Sequence, residues 1–235
     1  VYHYTPGPFR MLVTMTEPDS LATTRAAYDA VAADYARDVP ERYHSSPLAH
    51  AMIPVFAELV RAGGGGPVAD VGCGPGHVTA HLSSLGVPAY GVDVSPEMIA
   101  LARSAHPGLR FDVGTMTPLT ADDATLAGVV ANYSIIHTPP ERPPETFAEF
   151  HRVLRPGGHL LLGFQADDDP TRLGAPFDHS VTAAHRYSPD RIAELLLDTG
   201  LPEVARLIIA PGEDTKRGFP QAYLLARRPV GEQPA

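Results

Sequence analysis

Apolar residues recur at helical spacing near the start of the chain, then change rhythm at residue 68. From Leu21 to Arg37, Ala27, Val31 and Tyr35, with Tyr28 beside them, mark one face of an amphipathic helix. A second helix is expected from Pro47 to Arg61, where Met52, Val55, Phe56 and Leu59 share a face and the glycine run from Gly63 to Gly66 ends it. Short apolar runs follow at Val68–Val71, Ala89–Val92, Leu109–Val113, Leu126–Asn132 and His159–Phe164. Helical segments separate them at His77–Leu85, Pro96–Ala105 and Pro144–Leu154. Strand and helix in alternation predict right-handed crossovers and a parallel sheet covered on both faces. After a helix from Ser188 to Thr199 come Val204–Ala210 and Gln221–Arg227. The link between them leaves no room for a crossover helix, so the pair is predicted to be an antiparallel hairpin. The fold class is therefore α/β, doubly wound, with seven mostly parallel strands and a C-terminal antiparallel hairpin.

Composition narrows the picture. The chain has 235 residues, 44% of them hydrophobic, enough to bury a core without disulfides. The single cysteine, Cys73, excludes an internal disulfide or a cysteine-rich zinc site, and no His, Asp or Glu grouping has metal-ligand spacing. A net charge of −9 argues against nucleic acid as the main partner. No stretch approaches the roughly 20 apolar residues that span a bilayer. A soluble, cytoplasmic protein with no membrane partner is expected.

The candidate chemistry sits at Val68-Ala-Asp-Val-Gly-Cys-Gly-Pro-Gly-His. A strand ends at Asp70 and Val71, Gly72, Gly74 and Gly76 alternate, and a helix opens at His77. Such a turn lets a ligand approach the backbone. About 20 residues on, the next strand ends at Asp93, where a carboxylate reaches ribose hydroxyls in nucleotide-binding α/β folds. Ser95-Pro-Glu then starts a helix with an N-cap, a first-turn proline and a first-turn acid. The third glycine comes one position too early for a dinucleotide loop, and Pro75 lacks an N–H. The Lys-Ser/Thr end of a phosphate-binding P-loop is missing as well. The loop suits a nucleoside without a phosphate chain.

These residues resemble the class I S-adenosylmethionine (SAM) dependent methyltransferases, whose fold is Rossmann-like. Asp70-Val-Gly-Cys-Gly-Pro-Gly matches that family's first motif, Tyr90-Gly-Val-Asp-Val-Ser-Pro-Glu-Met its second and Phe111-Asp-Val-Gly-Thr-Met its third. Asn132-Tyr-Ser-Ile-Ile-His resembles the end of the fourth strand, and Phe150-His-Arg-Val-Leu-Arg-Pro-Gly-Gly-His the helix and turn before the fifth. The resemblance spans roughly Tyr28 to Pro229. It implies SAM as cofactor, with Asp93 on the ribose and Val94 and Met98 near the adenosine. It places Asp70, Gly72, Cys73, Gly74 and Gly76 at the loop, and Asn132 beside the methionine moiety. Tyr28 and Tyr35 would close over the cofactor. Where relatives carry an acid for the adenine, this chain has Thr115 and Met116. Relatives often carry Lys-Pro-Leu and an arginine where this chain has Ser46-Pro47-Leu48 and His50.

The implied organisation is a leader or disordered segment over 1–20, N-terminal helices covering the cofactor site over 21–62, the SAM-binding core over 63–229 and a tail over 230–235. The implied acceptor is a small molecule such as a secondary metabolite. For general-base work His137 comes first, since an imidazole titrates near neutrality, followed by His185, with His179 and Tyr187 nearby; each is also readable as a turn or loop residue. A nicotinamide-dependent oxidoreductase and a non-catalytic SAM-binding protein of the same fold remain alternatives.

Overall fold

A computed structural model describes residues 17–45, 47–213 and 217–231. Most of the expected leader, like the end of the tail, lies outside them.

Two helices precede the sheet, α1 (Glu17–Ser45) and α2 (Met52–Ala62), joined through a 3-10 turn at Pro47–His50. Helix α1 is longer than its apolar spacing suggested, and the second expected helix is split. Pro54 explains the split. With no N–H it cannot bond back to residue 50, and a helix restarting at Met52 puts it in the first turn, where no such bond is needed.

The strands are β1 (Val68–Val71), β2 (Ala89–Asp93), β3 (Arg110–Val113), β4 (Leu126–Asn132), β5 (Leu154–Gln165), β6 (Gly174–Phe177), β7 (Ala184–Tyr187), β8 (Glu203–Ile209) and β9 (Gln221–Arg227). Between them lie α3 (His77–Ser84), α4 (Pro96–Ala105), α5 (Pro143–Val153) and α6 (Pro189–Asp198). Seven strands form one sheet in the order β3-β2-β1-β4-β5-β9-β8. The first five are parallel, and β9 runs antiparallel to both β5 and β8, as expected for the terminal hairpin. Strand β5 begins at Leu154, earlier than the apolar run suggested, because Leu154 already pairs with Leu126 before the register shifts and resumes at His159 with Gly128.

Both faces of the sheet are covered. Val129 and Ala131 join one layer with Phe147 and Phe150 of α5. Val130 joins the other with Phe56 and Val60 of α2 and Leu82 of α3. Each such large side chain contributes roughly 1.5–3 kcal/mol by leaving water. The chain steps outward from β1 to β3 and then returns to place β4 on the other side of β1, so a crevice opens beyond the carboxyl ends of β1 and β4.

One element has no counterpart in the sequence reading. Strands β6 and β7 form a separate antiparallel ribbon, with Pro176 opposite His185. It docks on the segment after β4, where the Tyr187 hydroxyl donates to the Thr138 carbonyl.

Candidate functional site: a cleft at the sheet switch point

The glycine loop takes its shape from the strand beside it. The N–H groups of Gly72 and Cys73 both donate to the Val92 carbonyl, at 2.7 and 3.1 Å. Gly74 donates to the Asp93 carboxylate at 2.8 Å, and Gly76 to the Cys73 carbonyl at 3.0 Å. Pro75 has no N–H to give. Every backbone donor from 72 to 76 is thus committed inside the protein, and none is left to face a pyrophosphate. A Cβ on Gly72 would lie 2.3 Å from the Ser134 Cβ, whereas one on Gly74 would meet nothing within 4 Å. Gly72 is required by packing, and Gly74 borders open space.

Asp93, at the end of β2, is held in place by its own neighbours. Its second carboxylate oxygen accepts the Ser95 N–H at 2.9 Å. Burial holds its carboxyl above the usual carboxylate range, while the N–H groups of Ser95 and Gly74 pull it back down. Ser95 caps α4 by accepting the Met98 N–H, and its hydroxyl donates to Asp29 at 2.6 Å. That bond fixes α1 across the carboxyl ends of the strands.

The resulting cleft encloses about 1100 Å³, including its mouth to solvent. Its floor is Gly72, Gly74, Asp93, Val94, Thr115, Met116 and Asn132; Tyr28 and Tyr35 of α1 and His137 wall it. Four other residues singled out from the sequence lie behind it. Asp70 is fully buried and accepts the Thr79 hydroxyl of α3 at 2.6 Å. Cys73 packs with Ile99, Ala102 and Phe111, and burial pushes its thiol up. Gly76 caps α3, and Met98 is enclosed in α4. Helix α2 packs under the sheet, so of the two N-terminal helices only α1 lines the cleft.

His137 is held on both ring nitrogens. Nδ1 lies 3.0 Å from the Ala183 carbonyl, a pure acceptor, so Nδ1 carries the proton. Nε2 is then the acceptor for the Tyr28 hydroxyl at 2.7 Å. Burial lowers the His137 pKa, which keeps the ring neutral. His179 packs edge-on against the His137 ring at 5.2 Å. His185 and Tyr187 do not line the cleft; they brace the segment carrying His137 from behind. Burial leaves His185 below its ordinary pKa, although the backbone of Ile136 and the Glu141 carboxylate pull it back up.

The sequence reading missed Thr24, Ser134, Thr138, Arg142 and Thr146, which also line the cleft. Ser134 stands out because its Oγ is buried with no hydrogen-bond partner. Its place two residues beyond the β4 end was visible, but its burial against Gly72 was not.

The sequence pattern of a methyltransferase domain matches residues 68–158. That stretch contains the glycine loop, Asp93 and the segment of His137 described above. The chain is 35% identical over 92 residues to a demethylmenaquinone methyltransferase of Chlorobaculum tepidum, covering 39% of this chain and 37% of that protein. It is 30% identical over 152 residues to a malonyl-[acyl-carrier protein] O-methyltransferase of Pectobacterium atrosepticum, covering 59% of each. The chain therefore spans less than two thirds of the length of these relatives. In fold, the methyltransferase domain and its flanking helices resemble the 1,6-didemethyltoxoflavin-N1-methyltransferase of Burkholderia thailandensis, solved with S-adenosylhomocysteine (SAH) bound. The TM-score is 0.73 at 22% identity, with 92% of both chains covered. The fold is thus the Rossmann-like one of that solved methyltransferase. Among the described residues no group of three or more His, Cys, Asp or Glu could hold a metal ion, and no helix is long and apolar enough to cross a membrane.

Proposed function

We propose that the chain binds SAM in this cleft and transfers its methyl group to a small-molecule acceptor. The observation that carries the proposal is the glycine loop with all its N–H groups turned inward beside Asp93. Such a loop accommodates a nucleoside and offers nothing to a phosphate chain, which counts against a nicotinamide dinucleotide. The site also fits the cofactor's amino-acid end, since Ser134 with its orphaned hydroxyl and Gly74 with open space around it both line the cleft. The relatives' acceptors, by name a demethylmenaquinone, a malonylated carrier protein and a toxoflavin precursor, favour metabolite chemistry.

In this reading SAM supplies an electrophilic methyl group on a sulfonium. Asp93 holds the ribose hydroxyls. Val94, Thr115 and Met116 border the adenine, and the Thr115 hydroxyl, already donating to the Thr117 carbonyl at 2.9 Å, is left to accept from the adenine amine. Gly72, Gly74, Asn132 and Ser134 surround the methionine part. Asp70, Cys73, Gly76 and Met98 keep the loop in shape from behind. Tyr28 and Tyr35 close the site against water, and His137 is the candidate base, with His185 supporting it. Positioning two reactants in line supplies about 7–11 kcal/mol of such a barrier.

Thermal melting tests the proposal. A ligand at 100 times its dissociation constant adds about 2.7 kcal/mol, a rise of roughly 5–10 °C at this size. SAH is expected to give it and NAD+ is not. A rise with NAD+ alone contradicts the proposal.

A further inference from the structure

We propose that Tyr28 and His137 form one proton-accepting unit, with the Tyr28 oxygen as the atom that meets the acceptor, and that the acceptor group is an aromatic or enolic hydroxyl. This rests on the methyl-transfer reading above and goes beyond it in naming the substrate class and the residue that touches it.

The geometry carries the inference. The only basic nitrogen of His137 is capped by the Tyr28 hydroxyl at 2.7 Å. His137 therefore reaches an acceptor through Tyr28. Tyr28 has committed its one proton to Nε2, so what its oxygen offers the cleft is acceptance. The arrangement is fixed from both sides. Asp29, the next residue on α1, accepts from Ser95, which holds the helix that carries Tyr28. On the other side the Ala183 carbonyl of the β6–β7 ribbon locks the His137 tautomer, and the Tyr187 hydroxyl holds the Thr138 carbonyl. The added ribbon thus serves as a positioning device for this pair. The walls of the cleft away from the residues given to the cofactor include Leu21 and Pro139, which suit a flat apolar ring.

The proton inventory favours a hydroxyl. As the acceptor oxygen takes the methyl group, its O–H proton passes to the Tyr28 oxygen and the Tyr28 proton passes to His137 Nε2. The electron pair of the broken O–H bond stays on the acceptor oxygen, and that of the broken S–C bond stays on sulfur. The imidazolium then releases its proton to solvent. Burial, with Tyr35 and Asp93 nearby, pushes the Tyr28 phenol well above its ordinary value, so the two protons move together and no tyrosinate is parked between them. A carboxylate acceptor has no proton to give, and an amine sheds one readily to water. Among the described residues, the charged and titratable groups facing the pair are Tyr35 of α1, Asp93 of β2, Arg142 after β4, and His179 and His185 at the ribbon, with Glu141 behind them acting on His185.

The test measures label transfer from methyl-tritiated SAM to catechol, phenol and hydroxynaphthoquinone, with aniline and benzoate as the other arm. The wild type is expected to label one or more of the hydroxyl compounds and neither of the others. Tyr28→Phe keeps the ring that packs edge-on against Tyr35. It is expected to lower kcat about 100-fold, the lower end of general-base catalysis, with a much smaller change in SAH affinity because the ring that closes the site is kept. A readout independent of turnover is the imidazole nitrogen NMR signal of His137 with SAH bound. It is expected to report a neutral ring protonated at Nδ1, titrating at higher pH once the Tyr28 hydroxyl is removed. Unchanged or raised kcat in Tyr28→Phe overturns the relay, as does a His137 titration that does not move. Label on aniline or benzoate instead, or on none of the compounds while SAH still raises the melting temperature, overturns the acceptor class and leaves the methyltransferase reading standing. No effect of SAH removes that reading and this one together.

Discussion

Replacing Asp93 by Asn keeps the size of the side chain and removes its charge. In the structure the two carboxylate oxygens accept from Gly74 at 2.8 Å and from Ser95 at 2.9 Å. Each oxygen keeps a lone pair for a ribose hydroxyl. An asparagine has one oxygen and one NH2, so its nitrogen must face either the Gly74 or the Ser95 N–H, donor against donor. One ribose bond is lost outright, worth about 2 kcal/mol for a charged acceptor, and the other weakens by about 1 kcal/mol as it becomes neutral. The sum of about 3 kcal/mol corresponds to roughly 150-fold in dissociation constant. Calorimetric titration of SAH into wild type and Asp93→Asn measures this directly, with the urea midpoint as a control for folding. A dissociation constant within about threefold of wild type, in a variant that stays folded, refutes the assignment of Asp93 to the ribose; the expected size of the loss comes from the charged-acceptor range used above.

Other consequences are open to simple tests. Gly72→Ala is expected to cost about 2–4 kcal/mol in chemical denaturation, since its Cβ would collide with the Ser134 Cβ in an overpacked site at positive φ. Gly74→Ala, with open space around it, is expected to cost less stability and mainly SAH affinity; equal losses in both variants contradict the geometry. Burial pushes the Asp70 carboxyl up to about 7. Its folded value lies above the unfolded one, so its share of stability is complete below about pH 4 and is lost as pH rises through about 7, by up to about 4 kcal/mol. Asp70→Asn is expected to flatten the stability profile across that window, and parallel profiles contradict the reasoning. Arg152 bridges Glu149 at 2.7 Å, Asp123 at 2.6 Å and the Ala121 and Leu119 carbonyls at 3.0 and 3.2 Å. Because that fork needs a planar guanidinium, Arg152→Lys is expected to lose nearly as much as Arg152→Ala, about 1–2 kcal/mol by urea denaturation.

The fold was legible where one signal decided each element. Val68–Val71 and Leu126–Asn132 are apolar runs because both faces of β1 and β4 are buried, and the helix starts at Ser95 and Ser188 announce themselves through capping residues followed by proline. The β6–β7 ribbon was not legible. Its strands have four residues each, carry Pro176, His185 and Arg186, and are held by contacts to the distant segment Ile136–Thr138, which no local pattern encodes. Within the site, the loop and Asp93 were readable because close backbone approach demands glycine and a strand end fixes the acid. Ser134 was not, since an ordinary serine becomes notable only when the fold buries its hydroxyl beside Gly72 without a partner. Tyr28 and His137 were both visible as candidates, but 109 residues separate them, and only the docking of α1 makes them a pair.

The central claim is that this cleft holds SAM through Asp93 and the glycine loop. Co-crystallisation with SAH tests it most directly. The account expects the ribose hydroxyls within about 3 Å of the Asp93 carboxylate, an ordinary hydrogen-bond distance, with the amino-acid end beside Gly72, Gly74 and Ser134. SAH bound elsewhere, or lying in the cleft with its ribose turned away from Asp93, would contradict it.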